Sequence, residues 1–389
     1  MADSNKTKLA YAPESTFNTD PTDSATWTEV RIKSENLKAD LTVASSDEIR
    51  SYRDVPSLNL TDRAVSGSLD CNLSYASFDD FLSASLGSSG FSSASTLVSA
   101  SAVSTTQGTK TYAKDTGSWS NDPVVGQWVY ISGFSNSASN GWKKVASVSG
   151  SNSFTVEEAI GASESGVSAT GGNMSQIVNG DTLSSYAFQR EYTDLTNECA
   201  RYTGCVVNGF TIDASQNATI GVNFDIVGAV EVSSSTVYTV DTAANNNTEL
   251  TSQDHVQELR ENAVAYSSTG FTLNVSNNLR NQYQLGTLGA SAIKLGDLEV
   301  TGTVQAYFAD STTFDKFLNQ TQTSLSLIVS DEATAQGNAY IIDLPSVKFT
   351  DGQRVAGGRN QDIIADLSFQ AYRDTSEGVT IRIAKIASA

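Results

Sequence analysis

The chain has 389 residues, 39% of them hydrophobic and only 17% charged, with a formal net charge of −19. That length exceeds what one hydrophobic core usually organises, so two or three domains are expected. The acidic balance excludes a protein that grips nucleic acid through clustered Lys and Arg, and no run approaches the roughly 18 apolar residues of a membrane span.

The N-terminal residues Met1 to Leu9 are polar and lack the apolar core of a secretory signal, so folding in a cytoplasm is expected. The polar segment Ser45 to Asp62 is too long for a hairpin turn and carries Glu48, Arg50 and Arg53, which marks it as an arm for subunit contact. From Val65, the residues Val65, Gly67, Leu69, Cys71, Leu73 and Tyr75 alternate with polar ones, as in a half-buried strand. Phe78, Phe81, Leu82 and Leu86 then recur at helical spacing. Ser77 is the expected N-cap, Asp79 and Asp80 suit the first turn, and Gly87 is the expected stop.

Residues 92–181 read as an inserted small β-barrel. Strands are expected around Trp128–Ser132, Trp142–Val148 and Phe154–Ile160, with turns at Gly133 and Asn140-Gly141. The interrupted unit resumes at Thr182 and closes with alternation through Ile220, Val222, Phe224 and Ile226. Residues 241–262, with Asn245-Asn246-Asn247, read as a linker that includes a short helix.

Beyond the linker the first pattern returns. Leu279-Arg280-Asn281 and Tyr283 lie in a second polar arm, Asn277 to Asp297. Val300, Gly302, Val304, Ala306 and Phe308 alternate with polar residues, Phe314-Asp315-Lys316-Phe317-Leu318 repeats the helix, and Ile363, Ala365, Leu367 and Phe369 close the set. The fold class is therefore mainly β: two tandem β-sandwich or barrel units, each with a short flanking helix, and a β-barrel-like insertion in the first. The units occupy 1–91 with 182–240, and 263–389. Leu69, Phe81, Val304 and Phe317 are the expected core of the repeated unit.

No constellation for catalysis emerges. The one histidine, His255, lies in the linker, and no GxSxG elbow, zinc ligand set or phosphate-binding glycine fingerprint accompanies it. Asp241 and Asp310 lack calcium-loop spacing. Asp79-Asp80 reads as helix N-terminal charge and Glu157-Glu158 as a solvated strand end, rather than as acid/base pairs. Cys71, Cys199 and Cys205 form no disulfide framework, and Cys71 is expected as a buried thiol. No enzyme, metal or cofactor is expected. Trp128, Tyr130 and Trp142 leave open a second reading, a phage or surface adhesin that stacks these rings on a glycan.

The ordered set of segments resembles the tail-tube proteins of long-tailed, non-contractile bacteriophages. The resemblance runs through Leu9-Ala10-Tyr11-Ala12-Pro13-Glu14-Ser15-Thr16-Phe17 with Asp20-Pro21, Ser46-Asp47-Glu48-Ile49-Arg50-Ser51, Val65-Ser66-Gly67 and Arg201-Tyr202-Thr203-Gly204. It continues through Asn278-Leu279-Arg280-Asn281-Gln282-Tyr283, Val300-Thr301-Gly302-Thr303 and Asp343-Leu344-Pro345. The resemblance implies sheets that join between neighbouring units into a barrel around a channel, and rings that stack into a tube in the virion. With the unit repeated, it implies a homotrimeric, pseudo-hexameric ring. Partners are then further copies of the chain, a tape measure protein and tail-end proteins, with phage DNA as transiting cargo. Glu48, Arg50, Arg53, Arg280 and Tyr283 are the contact residues expected in the arms.

Overall fold

The computed structural model describes residues 3–307, 312–332, 337–354, 359 and 362–386. Phe308, Asp310 and Gly357-Gly358 lie outside them. The chain is mainly β, with two α-helices among the described residues, α1 (Asp79–Ser85) and α2 (Thr312–Leu318).

Two groups of strands follow one pairing scheme. Leu58–Asn72 pairs antiparallel with Gly221–Gly228, and Gly221–Gly228 pairs with Cys199–Ser215. In the second group Glu299–Tyr307 pairs with Ile364–Ala371, and Ile364–Ala371 with Ala339–Arg354. Leu69 stands opposite Phe224 and Val304 opposite Leu367; Gly67 stands opposite Ile226 and Gly302 opposite Phe369. The long strands Cys199–Ser215 and Ala339–Arg354 each carry a register shift at the same place, between Val207 and Gly209 and between Phe349 and Asp351. Such bulges bend a strand and increase its twist. They let one strand serve both layers: the other halves of these two strands pair with Ser185–Tyr192 and Thr323–Ser330, again with register shifts at matching positions. Thr7–Pro13 and Val256–Glu261 complete the two outer layers.

Gly67 and Gly302 are required at the matched positions for one reason. A Cβ on Gly67 would lie 2.7 Å from Leu37 Cα and 2.8 Å from Asn36 O, and one on Gly302 would lie 2.2 Å from Thr272 O. Only glycine admits so close a backbone.

The two layers of both groups enclose one continuous core. Leu69, Phe81 and Val304 are fully buried in it, and Phe317 packs on its rim, half-buried. Each helix is tied to the first strand of its group at the same helix position: Tyr11 OH donates to Asp80 (2.6 Å), and Lys316 pairs with Glu261 (2.5 Å). Helix α1 begins at Asp79 with Phe78 at the cap, not Ser77, whose hydroxyl instead donates to Asn245 (2.8 Å). Asp79 is engaged as well, since Tyr340 OH donates to it (2.5 Å) and Lys385 forms an ion pair with it.

Residues 241–255 are not a free tether. They strap onto the first group through backbone bonds from Leu250 N–H to Leu73 O and from Ile220 N–H to Leu250 O (both 2.8 Å). Val256–Glu261, expected inside the linker, is a strand of the second group, and no helix forms between 241 and 262.

Strands between Ser95 and Asn173 close into a six-stranded barrel around Leu97, Tyr112, Trp119, Val129, Phe154 and their neighbours. The chain then leaves the barrel as Ser175–Val178, which pairs with Arg382–Ile386 of the second group. The barrel is docked there. Trp128 (1% exposed) and Trp142 (6% exposed) are buried against Met174, Ile328, Ala339, Ile341 and Ala384, so they belong to a domain interface rather than to the barrel core or an open glycan surface.

Candidate assembly surface

One joint inside the chain defines the geometry. The second half of Cys199–Ser215 pairs antiparallel with Ser268–Ser276, from Gly209 opposite Ser276 to Ser215 opposite Gly270. Because Ser268–Ser276 also pairs with Glu299–Tyr307, the inner sheets of the two groups run together without a break. Among the described residues the run ends in two open edges. One is the segment Ser34–Glu35 and Lys38–Ser45 beside Leu58–Asn72; the other is the end of Ala339–Arg354. Unpaired strand edges are templates for another strand unless they are covered.

The positions of the inner sheet that face away from the core form a mostly polar face, with Tyr307 opposite Ile364 an exposed apolar pair at one end. Alternation places Ser66, Ser68, Asp70, Asn223, Asp225, Thr211, Asp213, Thr301, Thr303 and Asp366 on it. Two of its lysines, Lys33 and Lys38, are paired with Asp70 (3.3 Å) and Asp40 (3.0 Å), and a third, Lys348, stands on the same face opposite Gln370.

Both arms are β-hairpins; the first is continuous with the inner sheet, and the second forms a two-stranded sheet of its own. The first is Lys38–Ser45 against residues 58–66; the second is Arg280–Tyr283 against Ala290–Lys294. Strand structure therefore enters the segments read as polar loops. Glu48, Arg50 and Arg53 sit exposed at the tip of the first, where Arg50 pairs with Glu48. Arg280 and Tyr283 are exposed in the second, and Arg280 donates to Leu295 O (3.3 Å). Sequence reasoning had missed the apolar side chains beside them. Leu41, Val43, Ile49, Val55 and Leu58 in the first arm and Leu285 in the second are more than half exposed, and Ile49 and Leu285 fully so. Their signal was the alternation of Leu41, Val43 and of Leu58, Leu60 within a stretch read only for its polar residues.

The docked barrel brings a buried charge cluster. Lys144 Nζ (2% exposed) lies 2.8 Å from Glu377, 3.2 Å from Asp343 and 3.5 Å from Glu157, and Arg382 lies 2.7 Å from Glu377 and 3.2 Å from Asp343. Burial opposes the Lys144 charge, but Asp343, Glu157 and Glu377 outweigh it and raise its pKa. Burial also pushes the Glu157 carboxyl up to about 7, only partly offset by Lys144. Glu158, expected as solvated, is buried and pairs with Arg260 (2.9 Å). The N-terminal signature packs on the Arg201–Gly204 motif: Glu14 accepts from Gly204 N–H (2.7 Å) and Thr203 Oγ1 donates to Asn18 (2.8 Å). The three cysteines are free and buried, and burial raises the Cys71 thiol to about 12. Among the described residues no group of His, Cys, Asp or Glu is arranged to hold a metal, and no helix is long and apolar enough to cross a membrane.

A β scaffold with open sheet edges and apolar hairpin arms is a protein built for assembly. The chain belongs to the phage tail tube protein family, whose description matches residues 4–371. It is thus a structural component of the virion tail, in a family that assembles with itself and with other tail components. No curated protein matches the chain.

Proposed function

We propose that three copies of this chain close into a pseudo-hexameric ring and that rings stack into the tube of a long, non-contractile tail, through which the genome passes. The observation that carries this reading is the joint of Cys199–Ser215 with Ser268–Ser276. Among its described residues each chain has one such joint and two free edges at the equivalent positions, so three joints inside chains and three between chains use one geometry six times. The matched registers, bulges and glycines support an origin by tandem duplication.

The internal joint gives the register of the intermolecular one. Thr211 stands opposite Asn274, and their side chains meet at 3.0 Å. The equivalent positions are Gln353 and Lys38. The match departs at Gly209, where a Cβ would lie 1.9 Å from Val275 O; Asp351 occupies that place in the second group. The joint between chains therefore begins at Gly352 opposite Ala39, which also keeps Asp351 from pairing with Asp40. The polar, acidic face of the inner sheet lines the channel, where like charges keep DNA from adhering. The arms, with Glu48, Arg50, Arg53, Arg280 and Tyr283 beside their apolar residues, make contacts between subunits and rings. The burial of Trp128 and Trp142 counts against a glycan-binding role. A tape measure protein and tail-end proteins are the further partners, and folding takes place in the host cytoplasm.

The test is electron microscopy and mass measurement of assembled protein, together with the double variant Lys38→Cys, Gln353→Cys. Rings with the mass of three chains, held by disulfides between chains under oxidation, are expected. Six-chain rings, or tubes that never cross-link, would sink the stoichiometry or the register respectively.

A further inference from the structure

The edge that the next chain must join is not bare. At Leu37 and Ala39 three backbone groups on the side away from Leu58–Asn72 are taken by side chains of the first group. Ala39 N–H donates to Glu231 Oε2 (2.7 Å), and Leu37 N–H donates to Glu35 Oε2 (2.9 Å). The Leu37 carbonyl accepts from Arg190 Nη2 (2.7 Å) and from Tyr202 OH (3.2 Å). Arg190 and Glu35 form an ion pair, their side chains 14% and 10% exposed, and the Arg190 guanidinium lies 5.2 Å from the centre of the Tyr202 ring.

The second group shows what those groups do once joined. There the residues equivalent to Leu37 and Ala39 are Leu273 and Val275, and they pair with Ile212 and Phe210 of Cys199–Ser215. The capping side chains have no counterparts. Arg190 stands opposite Leu9 in its layer, and the residue opposite Leu259 in the second is Leu327; Tyr202 stands opposite Phe188, and Leu344 opposite Leu325. Leu327 and Leu344 are buried in the core. Polar caps thus occur at the edge left open within the chain and are replaced by apolar residues where the edge is permanently paired.

We propose that Glu231, Glu35, Arg190 and Tyr202 form a latch that satisfies this edge in the free chain and has to be released before the strand of a second copy can add. The latch rests on the ring reading above. Physically it is the management of an edge strand: an uncapped edge recruits any strand, whereas a capped one exchanges its side-chain bonds for a ladder only when the incoming strand offers the matching register. Glu231 is the releasable part, because it reaches the edge from Val230–Ser234, and a carboxylate acceptor of a single N–H can turn to solvent.

The experiment compares full-length wild type with Glu231→Ala, Glu231→Gln and Tyr202→Phe. Amide exchange at Ala39 in the monomer and the lag before tube formation, by light scattering and microscopy, are followed in each. Loss of the cap in Glu231→Ala should speed Ala39 exchange and shorten the lag by about tenfold, the weight of one hydrogen bond to a charged group. Glu231→Gln keeps an acceptor oxygen and should stay near wild type. Tyr202→Phe, which changes only one hydroxyl, should shorten the lag by a smaller factor and guards against misfolding of the alanine variant. Wild type that forms tubes while Glu231→Ala assembles no faster, despite faster Ala39 exchange, overturns the latch and leaves the ring standing. If neither wild type nor any variant forms rings or tubes, the ring reading falls and the latch with it.

Discussion

Glu157 shows how burial sets the response of a single residue to pH. Its carboxyl is raised to about 7 because the barrel and the second group remove it from water, with Lys144 too far away to compensate fully. A carboxyl with a raised pKa binds its proton more tightly in the folded protein than in the unfolded chain. Its contribution to stability is therefore fully present below the ordinary glutamate range and is lost as pH rises through about 7. The thermal midpoint is expected to rise on acidification from pH 8 to pH 6, and Glu157→Gln to flatten that slope; an unchanged slope in the variant would place the titration elsewhere. At Gly302 the issue is space. A Cβ would meet Thr272 O at 2.2 Å and the Phe369 ring at 2.5 Å, so Gly302→Ala should cost about 1–3 kcal/mol in denaturant titrations, as overpacked sites do. Gly108, where a Cβ meets nothing within 4 Å, supplies the control and should tolerate alanine.

Among the elements, the hairpin arms separate folding from assembly. Ile49 and Leu285 are fully exposed, so replacing them with serine removes no buried contact and should leave the unfolding free energy within about 0.5 kcal/mol of wild type. The double variant should nevertheless raise the protein concentration needed for tube formation, measured by sedimentation; an unchanged threshold would remove the arms from the interface. How far such elements are legible in sequence depends on whether burial writes a clean period. Leu58–Asn72 and Glu299–Tyr307 do so, because one face meets the core and the other is polar, and α1 shows its Phe and Leu spacing equally well. Cys199–Ser215 does not. It is buried on nearly every residue before its bulge, and the bulge then shifts the alternation, so neither the strand nor the joint it makes could be read. Val256–Glu261 escaped for the opposite reason. Its Glu258, Arg260 and Glu261 look solvated in sequence, but Arg260 pairs with Glu158 of the inserted segment and with Glu258 beside it, and Glu261 pairs with Lys316 of α2. The arms were legible as long segments, whereas the hairpins they form depend on pairings that no local pattern encodes.

At the scale of the whole molecule, the barrel and the second group behave as one body because each satisfies what the other buries. Asp343 is fully buried and has Lys144 from the barrel and Arg382 from its own group as cationic partners, while Ile328, Ile341 and Ala384 are covered by Trp128 and Trp142. An inserted domain that hung from a tether would melt by itself and could be cut out cleanly. This one should not. Lys144→Met leaves Asp343 and Glu377 with Arg382 as their nearest cation, and breaking a buried pair of this kind costs about 3–5 kcal/mol. Because the loss falls on the contact itself, calorimetry of wild type should show the barrel and the second group unfolding in one transition. Lys144→Met should split that transition or lower it as a whole. Removal of residues 95–173 should expose the apolar face around Ile328 and Ile341 and yield protein that aggregates before any ring can form. A deletion product that stays soluble, with the thermal midpoint of wild type, would show that the barrel rides on the tube without supporting it.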